Sequence, residues 1–307
     1  MSPDNTVPSV ATNKHRCGTA VLVGRPNVGK STLLNALLGT RLSIVGPKPQ
    51  TTRHRILGVL TREHGQVLFL DTPGLHHGGD RAINRQLNRA ARQAINEADV
   101  AIHIIEAGRW GAEDQAVWDA LKLVTKPRFL VLNKIDSVKD KSKLLPSVAQ
   151  ITSSCSYDEV FLISARRRDG LDALESAIVA RLPIAEPVFA ADELTDRSER
   201  FLAAELVREQ LMLRLAQELP YAVTVEIEEF RDTEKRAEIT AAIWVEREGQ
   251  KAIVIGAGGA QLKAIGTAAR QSMERVFDRR VFLRLWVKVR ENWSDDEAAL
   301  RRFGYTD

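Results

Sequence analysis

Residues Gly24-Arg-Pro-Asn-Val-Gly29-Lys30-Ser31 follow a short apolar run, Ala20 to Val23, and precede a helical pattern from Ser31 to Leu38. No other stretch constrains the chain as much, because a glycine-rich loop closed by Lys-Ser between a strand and a helix is the pattern of a phosphate-binding turn. Backbone N–H groups of such a loop turn inward around phosphates. Gly24, Asn27, Val28 and Gly29 would form that cradle, with Thr32 in the first helical turn. Lys30 would neutralise the β and γ oxygens, and the Ser31 hydroxyl is a hard oxygen ligand for Mg²⁺.

From Thr19 to Leu182 apolar runs alternate with amphipathic stretches. Ala20 to Val23, Arg55 to Leu60, Val67 to Leu70, Val100 to Ile105, Phe129 to Leu132 and Val160 to Ile163 read as strands. Ser31 to Leu38, Arg81 to Ala98, Glu113 to Leu123, Lys143 to Thr152 and Leu171 to Leu182 read as helices. The alternation predicts an α/β domain with a mostly parallel sheet covered on both faces, binding ligands beyond the carboxyl ends of its strands. Three further motifs fall at those ends. Asp71-Thr-Pro-Gly74 follows the third strand, where a carboxylate reaches Mg²⁺ and the Gly74 N–H senses a γ-phosphate. Asn133-Lys134-Ile-Asp136 follows the fifth. The Asp136 carboxylate can accept hydrogen bonds from the N1–H and exocyclic amine of guanine, which adenine cannot offer, while Asn133 and Lys134 support the base and loop. Ser164-Ala165 follows the sixth and brings backbone N–H groups near the guanine oxygen. Each motif is weak alone, but their order and placement predict a site for GTP/GDP and Mg²⁺.

At 307 residues the chain is long enough for two domains. The alternation stops at Pro183, and LPIAEPVFAADELTDRS carries two prolines and four acidic residues without sustained periodicity. We read 1–16 as a disordered tail, 17–183 as the first domain, 184–195 as a linker and 196–307 as a second domain with a C-terminal tail. In that domain a helix is expected from Thr195 to Gln217, with Asp196 as N-cap, then strands at Ala222 to Ile227 and Ala237 to Val245. The run AIVIGAGG, a helix from Ala260 to Phe277 and the alternating strand VFLRLWVKV follow. By propensity Ala252 to Ile255 would be a strand. Residues 251–290 carry nine basic and two acidic side chains, against eight and fifteen in 191–250 and two and five in 291–307. A basic segment between acidic ones suggests a local anion-binding face.

The nucleotide motifs resemble those of the Ras-like GTPases, and GRPNVGKS with QTTRHR resembles the Era group among them. The resemblance implies a P-loop GTPase domain, with Gln50-Thr-Thr-Arg53 in the first switch and Thr52 the second Mg²⁺ ligand, Thr51 being the alternative. It implies roles in hydrolysis for Lys30, Asn27, Thr52 and Gly74. Leu75 stands where Ras has a water-orienting Gln, which implies slow intrinsic hydrolysis, and Asn27 matches a position that in related GTPases helps hold K⁺. His76 and His77 read as solvated switch residues.

Val254-Ile-Gly256-Ala257-Gly258-Gly259, followed by Lys263, Ile265 and Gly266, resembles the KH signature and lies in the basic segment. That makes residues 252–255 part of a short helix and the second domain an α+β type II KH domain, whose GxxG turn clamps about four nucleotides of a single strand. Lys251, Gly256, Ala257, Gly258, Gly259, Lys263 and Arg270 would face RNA. Many family members carry a Lys inside the tetrad where this chain has Ala257 and Gly258, which implies lower affinity for phosphate. Era proteins are ribosome-assembly GTPases that bind the 3′ end of small-subunit rRNA. The implied partner is therefore the 30S subunit, the implied state a monomer, and the implied location the cytoplasm with peripheral contact at the inner membrane face.

Composition narrows the alternatives. Cys17 and Cys155 are too few and too far apart for a disulfide framework or zinc site, so a reducing compartment is expected. No apolar run approaches the roughly 18 residues of a membrane span, and the first sixteen residues carry no signal- or transit-peptide pattern. The competing reading is a GTP-dependent regulator whose basic face docks to a protein or membrane surface.

Overall fold

The computed structural model describes residues 15–46, 51–74, 82–216, 219–233 and 235–305. Gln50, Leu75, His76, His77, Arg81 and Gln217 lie outside them. Among these residues the first domain holds a six-stranded sheet. Its strands are β1 (Arg16–Val23), β2 (Ile56–Arg62), β3 (Gly65–Asp71), β4 (Val100–Glu106), β5 (Arg128–Asn133) and β6 (Glu159–Leu162), in the order β2-β3-β1-β4-β5-β6. Every neighbouring pair is parallel except β2 with β3. That pair is joined through Glu63 and His64 alone, a connection too short for the crossover that parallel strands need.

Helices α1 (Lys30–Leu38), α2 (Ala82–Glu97), α3 (Ala112–Leu121), α4 (Leu144–Ser154) and α5 (Leu171–Arg181) cover both faces. Leu33, Leu34 and Leu37 of α1 and Leu174 and Ile178 of α5 close one core with Leu22, Phe69 and Ile102 of the sheet. Ala94 and Ile95 of α2, Val117, Trp118 and Leu121 of α3 and Ile151 of α4 close the other. Burial on both sides explains the near-continuous apolar strands.

The second domain contains α6 (Glu199–Arg214), β7 (Thr224–Asp232), β8 (Ala237–Val245), α7 (Glu248–Ile255), α8 (Ala260–Phe277), β9 (Val281–Val289) and α9 (Glu297–Arg302). β8 lies between β7 and β9, antiparallel to the first and parallel to the second. Helix α6 starts later than Thr195, because the Ser198 hydroxyl, not Asp196, accepts the Phe201 N–H at 3.3 Å and caps it. Ala222 belongs to a 3-10 turn, so β7 begins at Thr224. Residues 252–255 are helical, against their strand propensity and in line with the KH resemblance: α7 carries them into the turn at Gly256.

The segment between α5 and α6 lies along the first sheet. Val59 N–H donates to the Leu194 carbonyl at 2.9 Å, and the Gln66 side-chain oxygen accepts the N–H groups of Val188 and Phe189 at 2.8 and 3.0 Å. At its far end the chain returns to the first domain. Trp293, Leu300, Phe303 and Tyr305 bury Ala82, Ile83 and Leu87 of α2, and Asp295 accepts the Ala82 N–H at 2.8 Å. Trp293 is fully buried and donates its indole N–H to the Ala222 carbonyl at 3.2 Å. Trp293→Ala is expected to cost about 3–5 kcal/mol in the urea transition that frees this end of the second domain, measured by circular dichroism.

Candidate functional site

The phosphate-binding loop is shaped by residues that only a left-handed or otherwise special backbone accommodates. Gly24 (φ 155°) and Gly29 (φ 102°) would each bring a Cβ to 2.3 Å, against the Ile104 carbonyl oxygen and the Asn133 amide respectively. Exposed Asn27 is also left-handed, at φ 62°. Among the described residues no side chain caps α1, whose first turn contains Ser31 and Thr32, and its N-terminal N–H groups form the positive end of the helix beneath the loop. Lys30 Nζ donates to the carbonyls of Gly24 and Arg25, each at 3.0 Å. Burial lowers its pKa to about 8, opposed by attraction to Asp71.

Beside the loop, Ser31 Oγ lies 2.8 Å from Thr52 Oγ1 and 2.8 Å from Asp71 Oδ2, with Thr52 Oγ1 3.4 Å from that same oxygen. Burial raises the Asp71 pKa, while the Ser43 hydrogen bond and Lys30 oppose it. Ser43, which sequence reasoning missed, donates to Asp71 Oδ2 at 2.7 Å. Only its hydroxyl and proximity could have signalled it. Asp71 Oδ1 is buried without a hydrogen-bond partner among the described residues. Three converging hard oxygens with an orphaned carboxylate oxygen fit Mg²⁺. Of the two candidate threonines, Thr52 turns its hydroxyl into this set, whereas the Thr51 carbonyl accepts a hydrogen bond from Arg208. The Gly74 backbone packs on the phosphate loop, where a Cβ would lie 3.0 Å from Pro26 N.

Asn133 joins the phosphate loop to the base-side loops. Its amide N–H donates to the Val28 carbonyl at 2.9 Å, and its oxygen accepts the N–H groups of Lys134 at 2.8 Å and Ala165 at 3.0 Å. Lys134 adopts φ 66° and pairs with Glu106 at 3.2 Å. The Ser164 hydroxyl donates to Asp136 Oδ1 at 2.6 Å and holds that carboxyl below its ordinary pKa, ionised and ready to accept donors.

In the second domain, Gly256 (φ 72°) ends α7 where a Cβ would meet Gln261 at 2.7 Å. Gly258 (φ 56°) and Gly259 (φ 79°) would carry a Cβ into open space, so the turn can be approached closely from outside. Gly259 is also the N-cap of α8. A groove of about 380 Å³ runs on from the turn between α8 and β9, lined by Gly259, Lys263, Gly266, Arg270, Leu283 and Leu285.

Residues 19–134 match the family model described as a 50S ribosome-binding GTPase, and residues 218–294 match that of a KH domain. The chain is 56% identical over 291 residues to the GTPase Era of Stenotrophomonas maltophilia, covering 95% of this chain and 98% of that one. It is 55% identical over 297 residues to that of Xanthomonas oryzae, covering 97% and 99%. The chain belongs to the Era family of GTPases. Two solved structures, each 39% identical and covering 95% of this chain and 100% of the other, superpose along it. One is a variant of Aquifex aeolicus Era bound to GDP·AlF4⁻, with TM-score 0.92. The other is Era with MgGDPNP and nucleotides 1506–1542 of 16S ribosomal RNA, with TM-score 0.93.

After β6 the backbone N–H of Ser164 donates to the Asp169 carbonyl and that of Ala165 to the Asn133 side-chain oxygen, each at 3.0 Å. The basic segment is far less basic than its count. Arg270 pairs with Glu274 at 2.7 Å, Arg279 with Glu199 and Asp232, Lys288 with Glu228, and Arg290 with Asp296 at 2.6 Å. Lys251 lies 3.6 Å from Glu248. Among the described residues Lys263, Arg275, Arg280 and Arg284 have no such carboxylate partner. Asn133→Ala is expected to weaken GDP binding about 10- to 100-fold by leaving buried backbone groups unpaired. Titration with a fluorescent GDP derivative checks this.

Proposed function

We propose that this Era-family GTPase is a switch that binds the 3′ end of small-subunit ribosomal RNA and acts in 30S assembly in the cytoplasm. The observation that carries the reading is the joining of two sites in one chain: the Ser31, Thr52 and Asp71 oxygens beside the phosphate loop, and the open GxxG groove beyond α6. The relative seen with MgGDPNP holds 16S ribosomal RNA in the same architecture. The GTPase domain spans residues 17–183 and the RNA-binding domain residues 196–307, joined by 184–195.

Gly24, Asn27, Val28 and Gly29 cradle the phosphates, with Thr32 behind them at the start of α1, and Lys30 neutralises their charge. Ser31, Thr52 and Asp71 would hold Mg²⁺, directly or through water, and the ion would supply positive charge against that developing on the phosphate oxygens. Gly74 presents its N–H toward the γ-phosphate. Asp136 selects guanine, with Asn133, Lys134, Ser164 and Ala165 fixing its loop. Chain-provided stabilisation is modest, because Leu75 offers no polar group to orient water. Asn27 at the loop rim suits a K⁺ ion that supplies the missing positive charge. Hydrolysis is expected to be faster in K⁺ than in Na⁺ at equal ionic strength, and Asn27→Ala to abolish the difference. Steady-state phosphate release measures both.

RNA enters where the α8 N-terminus and the glycine backbone of Gly256 to Gly259 admit a phosphodiester chain, with Lys251, Lys263 and Arg270 alongside. Gly259→Asp places a side chain on a left-handed backbone (φ 79°) whose Cβ meets no described atom, so thermal melting accompanies the measurement; in the folded variant GTP affinity should be retained while RNA binding is abolished through charge repulsion and steric blockage. Lys263→Ala should reduce the slope of log affinity against log salt by about 0.7. Retained RNA binding by Gly259→Asp would overturn the clamp. Anionic vesicles compared with 16S 3′-end RNA at the same salt separate this reading from the membrane-docking alternative, and RNA is expected to bind more tightly.

A further inference from the structure

Residues Thr51 to His54, which surround the Thr52 hydroxyl, are held from the second domain. Arg208 of α6 is 1% exposed. Its guanidinium donates to Glu205 from Nε at 2.8 Å and Nη2 at 2.6 Å, and Nη2 also donates to the Thr51 carbonyl. On the other side of Thr52, buried Arg53 donates from Nη1 to the Val223 carbonyl at 2.7 Å and to the Tyr305 hydroxyl at 3.4 Å. His54 stacks on Tyr305 with ring centroids 4.6 Å apart, and its Nδ1 lies 3.6 Å from Glu205 Oε1. Between these anchors Thr52 turns inward to Ser31.

A buried ion pair adds little net stability, because desolvating two charges consumes most of what their attraction returns. Burial opposes ionisation of Glu205, yet Arg208 beside it holds its carboxyl well below the usual carboxylate range. Arg208 Nη1, meanwhile, is buried without a hydrogen-bond partner among the described residues. Such an arrangement is costly as glue. It is effective as a register: the planar fork, fixed on Glu205 through Nε and Nη2, aims the second N–H of Nη2 at the carbonyl immediately before Thr52.

We infer that Arg208, oriented by Glu205, is a positioning residue for GTP hydrolysis, fixing the Thr51 backbone so that the Thr52 hydroxyl joins Ser31 and Asp71. The inference rests on the proposed GTP and Mg²⁺ site. Its consequence is selective. The first switch is ordered by the γ-phosphate and Mg²⁺ and released after hydrolysis, so a contact that presents Thr52 stabilises the GTP-bound state and contributes little to the GDP-bound one. By linkage, a nucleic acid that shifts α6 changes GTP affinity, and GTP changes nucleic-acid affinity by the same factor.

The test uses the full chain. Arg208→Met strands a buried Glu205, so the paired variant Glu205→Gln with Arg208→Met, which removes both charges, is measured beside it, together with Arg208→Lys. Fluorescent GDP and a non-hydrolysable GTP analogue are titrated at fixed and varied Mg²⁺, with thermal melting as the control for folding. The paired variant is expected to melt as a folded protein and bind GDP as the unaltered chain does. Its affinity for the GTP analogue should fall about tenfold or more, the size of losing a hydrogen bond to a charged group, with half-saturation shifted to higher Mg²⁺. Arg208→Lys should recover only part of this. Unchanged GTP-analogue affinity in the folded paired variant would overturn the inference, as would equal losses for GDP and the GTP analogue, the signature of a merely structural role. Failure of the unaltered chain to bind the GTP analogue with Mg²⁺ would instead overturn the functional reading itself.

Discussion

The side-chain amide of Asn133 ties together loops that the sheet only brings near one another. It reaches from the end of β5 to the Val28 carbonyl of the phosphate loop and accepts the N–H groups of Lys134 and Ala165. This bridge needs Gly29, because a Cβ there would lie 2.3 Å from the amide nitrogen. The phosphate-binding loop, the Asp136 carboxylate and the loop after β6 therefore share one rigid geometry. A buried amide that satisfies three backbone groups leaves little freedom for any of them to drift.

On that frame the second domain is more than a passenger. Two segments beside the phosphate-binding loop continue into surfaces it covers. Residues 51–54 are held through Arg53 and Arg208, and α2 is packed beneath Trp293, Leu300, Phe303 and Tyr305. Buried charges and a wedge of aromatic rings make this contact sensitive to small displacements, since packed interfaces switch between discrete arrangements rather than deforming continuously. The groove beside the GxxG turn belongs to the same domain as α6, and α6 and α8 share one core through Val207, Leu211, Ala269 and Met273. Occupancy of either site can therefore bias the other through contiguous packing.

Charge illustrates how sequence counts mislead in detail while remaining right in kind. Residues 251–290 look strongly basic, but α6 supplies Glu199 and β7 supplies Glu228 and Asp232 to neutralise arginine and lysine across the fold. What remains beside the GxxG turn is Lys263, the backbone and the α8 N-terminus, a site built more on close approach than on bulk charge. The absence of a lysine in the tetrad fits that balance.

Much of the fold and the nucleotide site was legible without coordinates, because each motif is local: a loop glycine, its lysine and its serine are adjacent in sequence and act within one turn. The alternation of apolar runs likewise announced the parallel sheet, and the family resemblance corrected the strand propensity of residues 252–255. Tertiary structure alone decided which threonine faces Ser31, how Ser43 joins Asp71, where the Ser164 and Ala165 N–H groups go, and how Ser198 displaces Asp196 as the α6 cap. It also decided the meeting of Arg208 with Thr51, residues 157 positions apart. The physical reason is range. Turn geometry and amphipathic periodicity are written over a few neighbouring residues, whereas a buried guanidinium finds its partners only after distant segments have packed and excluded water around it.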